Sequence, residues 1–253
     1  DDEGKPSGKM RTIEPKPEIG EGVKDAVRDM VLHYGTDTGA RPESIEAVKE
    51  VKNLDSLQHD VYQYWGYKFD YREDDGKDPK KLLERLKTEL TASLTEQRER
   101  LLDLVDSVIS GMVEESCPRN LPPEDWKWPE MRDGYREFFG IKAPEDIEGL
   151  SDPADVAHEL YKAAHEHLLA KEKEMGLELL LRVFRIVYLN EIDRAWVDHL
   201  TNMEHLRDGI GLRGYGQRDP KQEYKMEGYE IFVNMMAAVS GSVASKAFRA
   251  EVR

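Results

Sequence analysis

One cysteine in 253 residues, Cys117, leaves no disulfide framework and no Cys-x-x-Cys thiolate site. A reducing compartment suits such a chain. No G-x-x-x-x-G-K-S/T loop occurs, so the cradle of backbone amides that holds nucleotide phosphates is not encoded. Zincin spacing fails twice: His158-Glu159 and His165-Glu166 are followed at the required fourth position by Lys162 and Leu169. His165 and His167, two residues apart, would face different sides of a helix. These gaps predict no catalytic residue and no metal site within the chain. No apolar run near 18 residues stands out, which predicts that no segment crosses a membrane by itself. Basic residues are outnumbered, 37 Lys and Arg against 52 Asp and Glu, and the net charge of −15 argues against a nucleic-acid partner.

What the chain does have is charge (35%) mixed with apolar residues (39%) and few β-branched runs, a composition that favours long helices. The charge is uneven. Residues 210–253 hold seven Lys/Arg and five Asp/Glu, a balance of +2, which leaves −17 on the rest. A mildly basic end is attracted to an anionic membrane surface. Residues 1–20, rich in Pro, Gly and charge, read as a lead-in, and a start at Asp1 instead of Met predicts a piece of something longer.

Short helices are predicted over Val23–Val31 and Pro42–Val51, the latter with Ile45, Val48 and Val51 on one face. Tyr67, Phe69 and Tyr71 alternate with polar residues, so the fold expectation is all-α with a minor β or irregular segment near residues 60–75. Tyr62, Tyr64, Trp65, Tyr67 and Phe69 read as a local core under a loop or as a docking surface. Asp78-Pro79 opens a helix striped by Leu83, Leu90, Leu101, Val105 and Met112, about 38 residues long if unbroken to Cys117. Ser93 and Glu96 have capping-box spacing, which offers one place for a break. Pro118 ends it. Trp126 and Trp128 are candidates to plug a gap between helices. Asp152-Pro153 starts another helix, with a bend at Gly176 and an end near Gly209.

The most informative stretch runs from Gly209 to Pro220. Upstream, Leu189, Ile192, Trp196, Leu200, Met203, Leu206 and Ile210 recur in steps of three and four. Downstream, Tyr224, Gly228, Ile231, Met235 and Val239 do the same. Four glycines (Gly209, Gly211, Gly214 and Gly216) lie in eight residues, and each lowers helix propensity by roughly 1 kcal/mol relative to alanine. The first helix is therefore predicted to stop near Gly209 or Gly211. Asp219 can cap the next one, Pro220 suits its first position and Gln222 completes capping-box spacing. On pattern alone the result is a helical hairpin, and an ordinary connection with polar residues facing water accounts for it.

The same residues carry a resemblance. Trp196-Val-Asp-His199-Leu200, Met203 to Leu206, Gly209 through Pro220, then Glu223-Tyr-Lys225, Glu227 and Phe232 are similar to the two-helix finger of the SecA family. Glu124-Asp-Trp126 through Gly140 resembles the short helix of that family's helical wing. The resemblance implies three parts: a poorly matched segment over 1–80, read as an insertion of one lineage; a helical wing over 81–170; and a helical scaffold with the finger over 171–253. It further implies the C-terminal portion of an ATP-driven protein translocase, bacterial, cytoplasmic and peripheral at the inner membrane. ATP and Mg²⁺ belong to motor domains outside this chain, and a zinc-binding tail found in many members is not included. The implied finger tip is Leu212, Arg213, Tyr215, Gln217 and Arg218, which would contact unfolded preprotein and a SecY-type channel. His199 reads as a packing histidine or a functional one. The alternative is a non-motor scaffold that docks a partner through the hairpin tip.

Overall fold

The computed structural model describes residues 21–35, 42–213 and 219–251. Seven α-helices and no strand occur among the described residues: α1 (Glu21–Tyr34), α2 (Leu54–Trp65), α3 (Pro79–Ser116), α4 (Trp128–Phe139), α5 (Pro153–Met175), α6 (Leu177–Arg213) and α7 (Pro220–Phe248). The chain divides into two compact units, Asp1–Arg98 and Glu99–Arg253.

In the first unit α1 packs on α2. Val23, Val27, Val31 and Leu32 of α1 and Leu54, Leu57, Val61 and Trp65 of α2 are buried at helical spacing. The Tyr34 hydroxyl ties the pair by donating to Asp60 at 2.6 Å. Asn53 caps α2 by accepting from the Ser56 amide, and Gly66, at φ 69°, ends it in the left-handed region where glycine carries no Cβ penalty. The helix expected over 42–51 is only a 3-10 turn at Ile45–Ala47. Val48 is extended, and the Val51 amide leaves for the carbonyl of Gly76 at 2.8 Å. β-Branched valines at 48 and 51 lose rotamer freedom in a helix, so a tertiary bond decides the path.

The strand period over 67–71 finds no ladder partner. Residues 60–65 belong to α2, and the alternation instead places Phe69 fully in the core. Tyr67 and Tyr71 send their hydroxyls to Glu89 and Asp55. Of the five clustered aromatics, Trp65 and Phe69 are buried while Tyr62 and Tyr64 are exposed, so the cluster is part core and part surface. Gly76 is buried here, and a Cβ on it would run into the backbone carbonyl of Val51. Gly76→Ala should therefore cost about 1–3 kcal/mol, as overpacking against rigid backbone does. Urea unfolding of the variant checks this; an unchanged midpoint would contradict the packing.

α3 is one continuous 38-residue helix, with no break at Ser93. In the second unit its later turns (Leu101, Val105, Ile109, Met112) are buried, as are Met131, Tyr135 and Phe139 of α4 and Val156, Leu160, Ala164 and Leu168 of α5. The Tyr135 hydroxyl donates to the Leu160 carbonyl at 2.9 Å, satisfying the one polar atom of a fully buried ring. Trp126 and Trp128 sit 5.4 Å apart, and their indole N–H groups donate to the carbonyls of Leu121 and Pro123. Asp152 caps α5 by accepting from the Ala154 amide, with Pro153 in the first turn. At Gly176, φ 83°, the chain breaks between α5 and α6, a sharper event than the bend expected there. Cys117 is buried, and burial pushes its thiol up to about 11, which leaves little thiolate at neutral pH.

Candidate functional site: the α6–α7 hairpin

α6 and α7 lie side by side as an antiparallel pair, and the contacts between them step in opposite directions along the two helices. Near the end of the hairpin a Cβ on buried Gly228 would meet Met203 and Leu206. Further back, the rings of His199 and Phe232 are 5.9 Å apart. Towards the base, Ser242 donates to Glu191 at 2.5 Å and Lys246 reaches the same carboxylate. Hydrogen bonds from Lys246 and then Ser242 hold the Glu191 carboxyl below its ordinary range. That contribution to stability is present above the unfolded carboxylate pKa and fades as pH falls through the lower folded value.

The base of the hairpin is clamped. Val239, Val243, Ala244, Ala247 and Phe248 are buried, and Phe248 meets Phe139 edge-on at 5.0 Å and His167 face-on at 5.9 Å. Lys171 donates to the Ala250 carbonyl at 2.8 Å, a cation at the C-terminal end of α7 where the helix dipole favours it. Ser245 and Arg249 both donate to the Glu137 carbonyl. Burial of His167, next to Lys171, lowers its pKa. Against expectation, α7 is long and apolar enough, by length and composition, to cross a membrane. A third of that apolar stretch is buried within the chain, where Val239, Val243, Ala244, Ala247 and Phe248 pack at the base of the hairpin.

The predicted site residues divide sharply. α6 does not stop at Gly209 or Gly211; it runs through both to Arg213, taking Leu212 with it. Two glycines cost roughly 2 kcal/mol of propensity, and packing along a 37-residue helix outweighs that. Gly214, Tyr215, Gly216, Gln217 and Arg218 lie outside the described residues. Asp219 accepts from the Lys221 amide at 2.9 Å and Pro220 opens α7, as expected, although the capping-box role of Gln222 is not formed: its backbone amide bonds the Asp219 carbonyl. His199 is buried against Trp196 and Phe232, and its Nδ1 has no hydrogen-bond partner among the described residues.

The upstream stripe is a single helical face, but much of it is uncovered: Leu189, Trp196 and Leu200 are about half exposed (51%, 45% and 53%). Met226 and Tyr229 on α7 are more exposed still. Spacing identifies an apolar face; it does not reveal whether this chain covers it.

A family model described as the SecA wing and scaffold domain matches residues 87–251. The chain belongs to the SecA wing and scaffold family. It is 45% identical to the protein translocase subunit SecA of Sorangium cellulosum over its whole length, which is 26% of that relative. SecA of an Anaeromyxobacter species is 39% identical over 62% of this chain, and SecA of Myxococcus xanthus 37% over 70%. The chain thus spans about a quarter of the first relative and under a fifth of the other two. In SecA terms α6 and α7 fall wholly within the matched wing and scaffold region, whereas α1 and α2 precede it.

Proposed function

We propose that this chain is the wing and scaffold portion of an ATP-driven bacterial protein translocase and that its α6–α7 hairpin is the two-helix finger. The observation that carries the reading is the antiparallel pairing of two long helices across Leu212-Arg-Gly-Tyr-Gly-Gln-Arg-Asp219 in a chain of the SecA family. Tyr215 contacts the translocating preprotein through a ring that tolerates any sequence and a hydroxyl that bonds any peptide backbone. Leu212, Arg213, Gln217 and Arg218 share that contact and face a SecY-type channel. Gly214 and Gly216 allow close approach to another chain.

The uncovered apolar face of Leu189, Trp196 and Leu200 supports a second element of the proposal. It is the seat of the motor domains, which hold ATP and Mg²⁺ and displace the hairpin as a lever. This chain encodes no phosphate loop, so its own residues transmit motion and touch cargo. The place of action is the cytoplasmic face of the inner membrane, with Arg213 and Arg218 drawn to anionic lipid.

Cosedimentation of this chain with vesicles tests the reading. It should bind vesicles carrying a SecY-type channel more tightly than channel-free vesicles of the same lipid, and Tyr215→Ala combined with Arg218→Ala should remove the difference. Equal binding to both vesicles would favour a docking scaffold without a translocase partner.

A further inference from the structure

We infer that Glu191 is the positioning residue that fixes the register of α7 on α6, and with it the distance from the clamped base of the hairpin to its end. The bearing of that distance on cargo rests on the finger reading; the register itself does not. The carboxylate is only 16% exposed and takes two donors from successive turns of α7, Ser242 at 2.5 Å and Lys246. A partly buried carboxylate that loses one of two donors is destabilised, so positions on α7 that supply fewer donors are disfavoured.

Each neighbouring register supplies at most one of the two donors. If α7 slid one turn in one direction, Ala238 and Ser242 would stand where Ser242 and Lys246 now stand, and the ammonium would be lost. One turn in the other direction brings Lys246 and Ala250 to those places, with Ala250 beyond the end of the helix at Phe248. Nearer the end of the hairpin, Met203 over Gly228 is the flexible end of an unbranched side chain, so Glu191 is the polar contact between α6 and α7 that adds to the clamp on the last turns of α7. Both donors lie more than fifty residues from Glu191 in sequence and no spacing rule pairs them.

Spin labels on Asn202→Cys and Lys225→Cys, both exposed positions, report the register in this chain by dipolar distance; Cys117, its one native cysteine, is buried and does not compete. With Glu191 intact a single narrow distance is expected. Glu191→Ala should broaden it or add a component displaced by about one helical turn, ~5.4 Å along the axis. Glu191→Gln, which still accepts from Ser242, should restore the narrow distance. Ser242→Ala with Lys246→Met should reproduce the alanine result from the other helix, with helicity by circular dichroism unchanged. A distribution in Glu191→Ala identical in mean and width to the parent would overturn the assignment. The measurement needs neither channel nor preprotein, so a failed Tyr215 test leaves it standing. Displaced labels with translocation unaffected would keep the lock and sink the finger reading instead.

Discussion

Under the proposed finger role, Tyr215→Ala in the complete translocase should lower preprotein translocation by about tenfold while ATP binding stays at the parental level. The size follows from the contact removed. Fully burying an aromatic ring against the moving chain would be worth about 1.5–3 kcal/mol, and a partly covered ring worth about 1.4 kcal/mol is a factor of ten in rate. Tyr215→Phe keeps the ring and loses the hydroxyl, so it should retain most of the activity. The comparison separates grip by apolar contact from grip by hydrogen bonding. Steady-state translocation and nucleotide affinity, measured side by side, check the pair. A parallel fall in ATP affinity would place the residue's effect elsewhere in the protein.

Phe248→Ala should be the most destabilising of the hairpin substitutions, at about 3–5 kcal/mol, the usual cost of emptying a large aromatic site. Phe248 is 2% exposed and packs on Phe139 and His167, so the void cannot collapse onto a free side chain. Thermal unfolding should begin earlier by about 10 °C, given roughly 2–4 °C per kcal/mol for a unit of this size. Amide exchange should quicken first in the last turns of α7, because Ser245, Arg249 and Ala250 take their tertiary bonds from the same clamp. A loss below about 1 kcal/mol would mean that the base is held by other contacts.

Local chemistry made much of this architecture readable. Asp152-Pro153 and Asp219-Pro220 each supply a side-chain acceptor and a residue with preset φ, and both open helices where the sequence places them. Gly176 marks a true break because its φ is positive. Gly209 and Gly211 carry the same residue type and mark none, since propensity alone cannot end a helix held along its length by a partner. Phe69 misled for the opposite reason. Alternation is a two-residue period, and a loop that buries one aromatic between two outward tyrosines imitates it over so short a span. The hairpin as a unit was legible from its two stripes and from the loop string. What could not be read were long-range facts: that Glu191 meets Ser242 and Lys246, that Lys171 meets Ala250, and that Trp196 and Leu200 go uncovered within the chain.

Under the proposed function, the loop between α6 and α7 touches the chain being moved. A photoreactive phenylalanine analogue in place of Tyr215, with a preprotein stalled part-way through a SecY-type channel, tests it most directly. Irradiation should give an adduct between position 215 and the stalled polypeptide, and the same probe in place of exposed Asn234 on α7 should give none. Stalled preprotein with no adduct at 215, or equal adducts at both positions, would contradict the account.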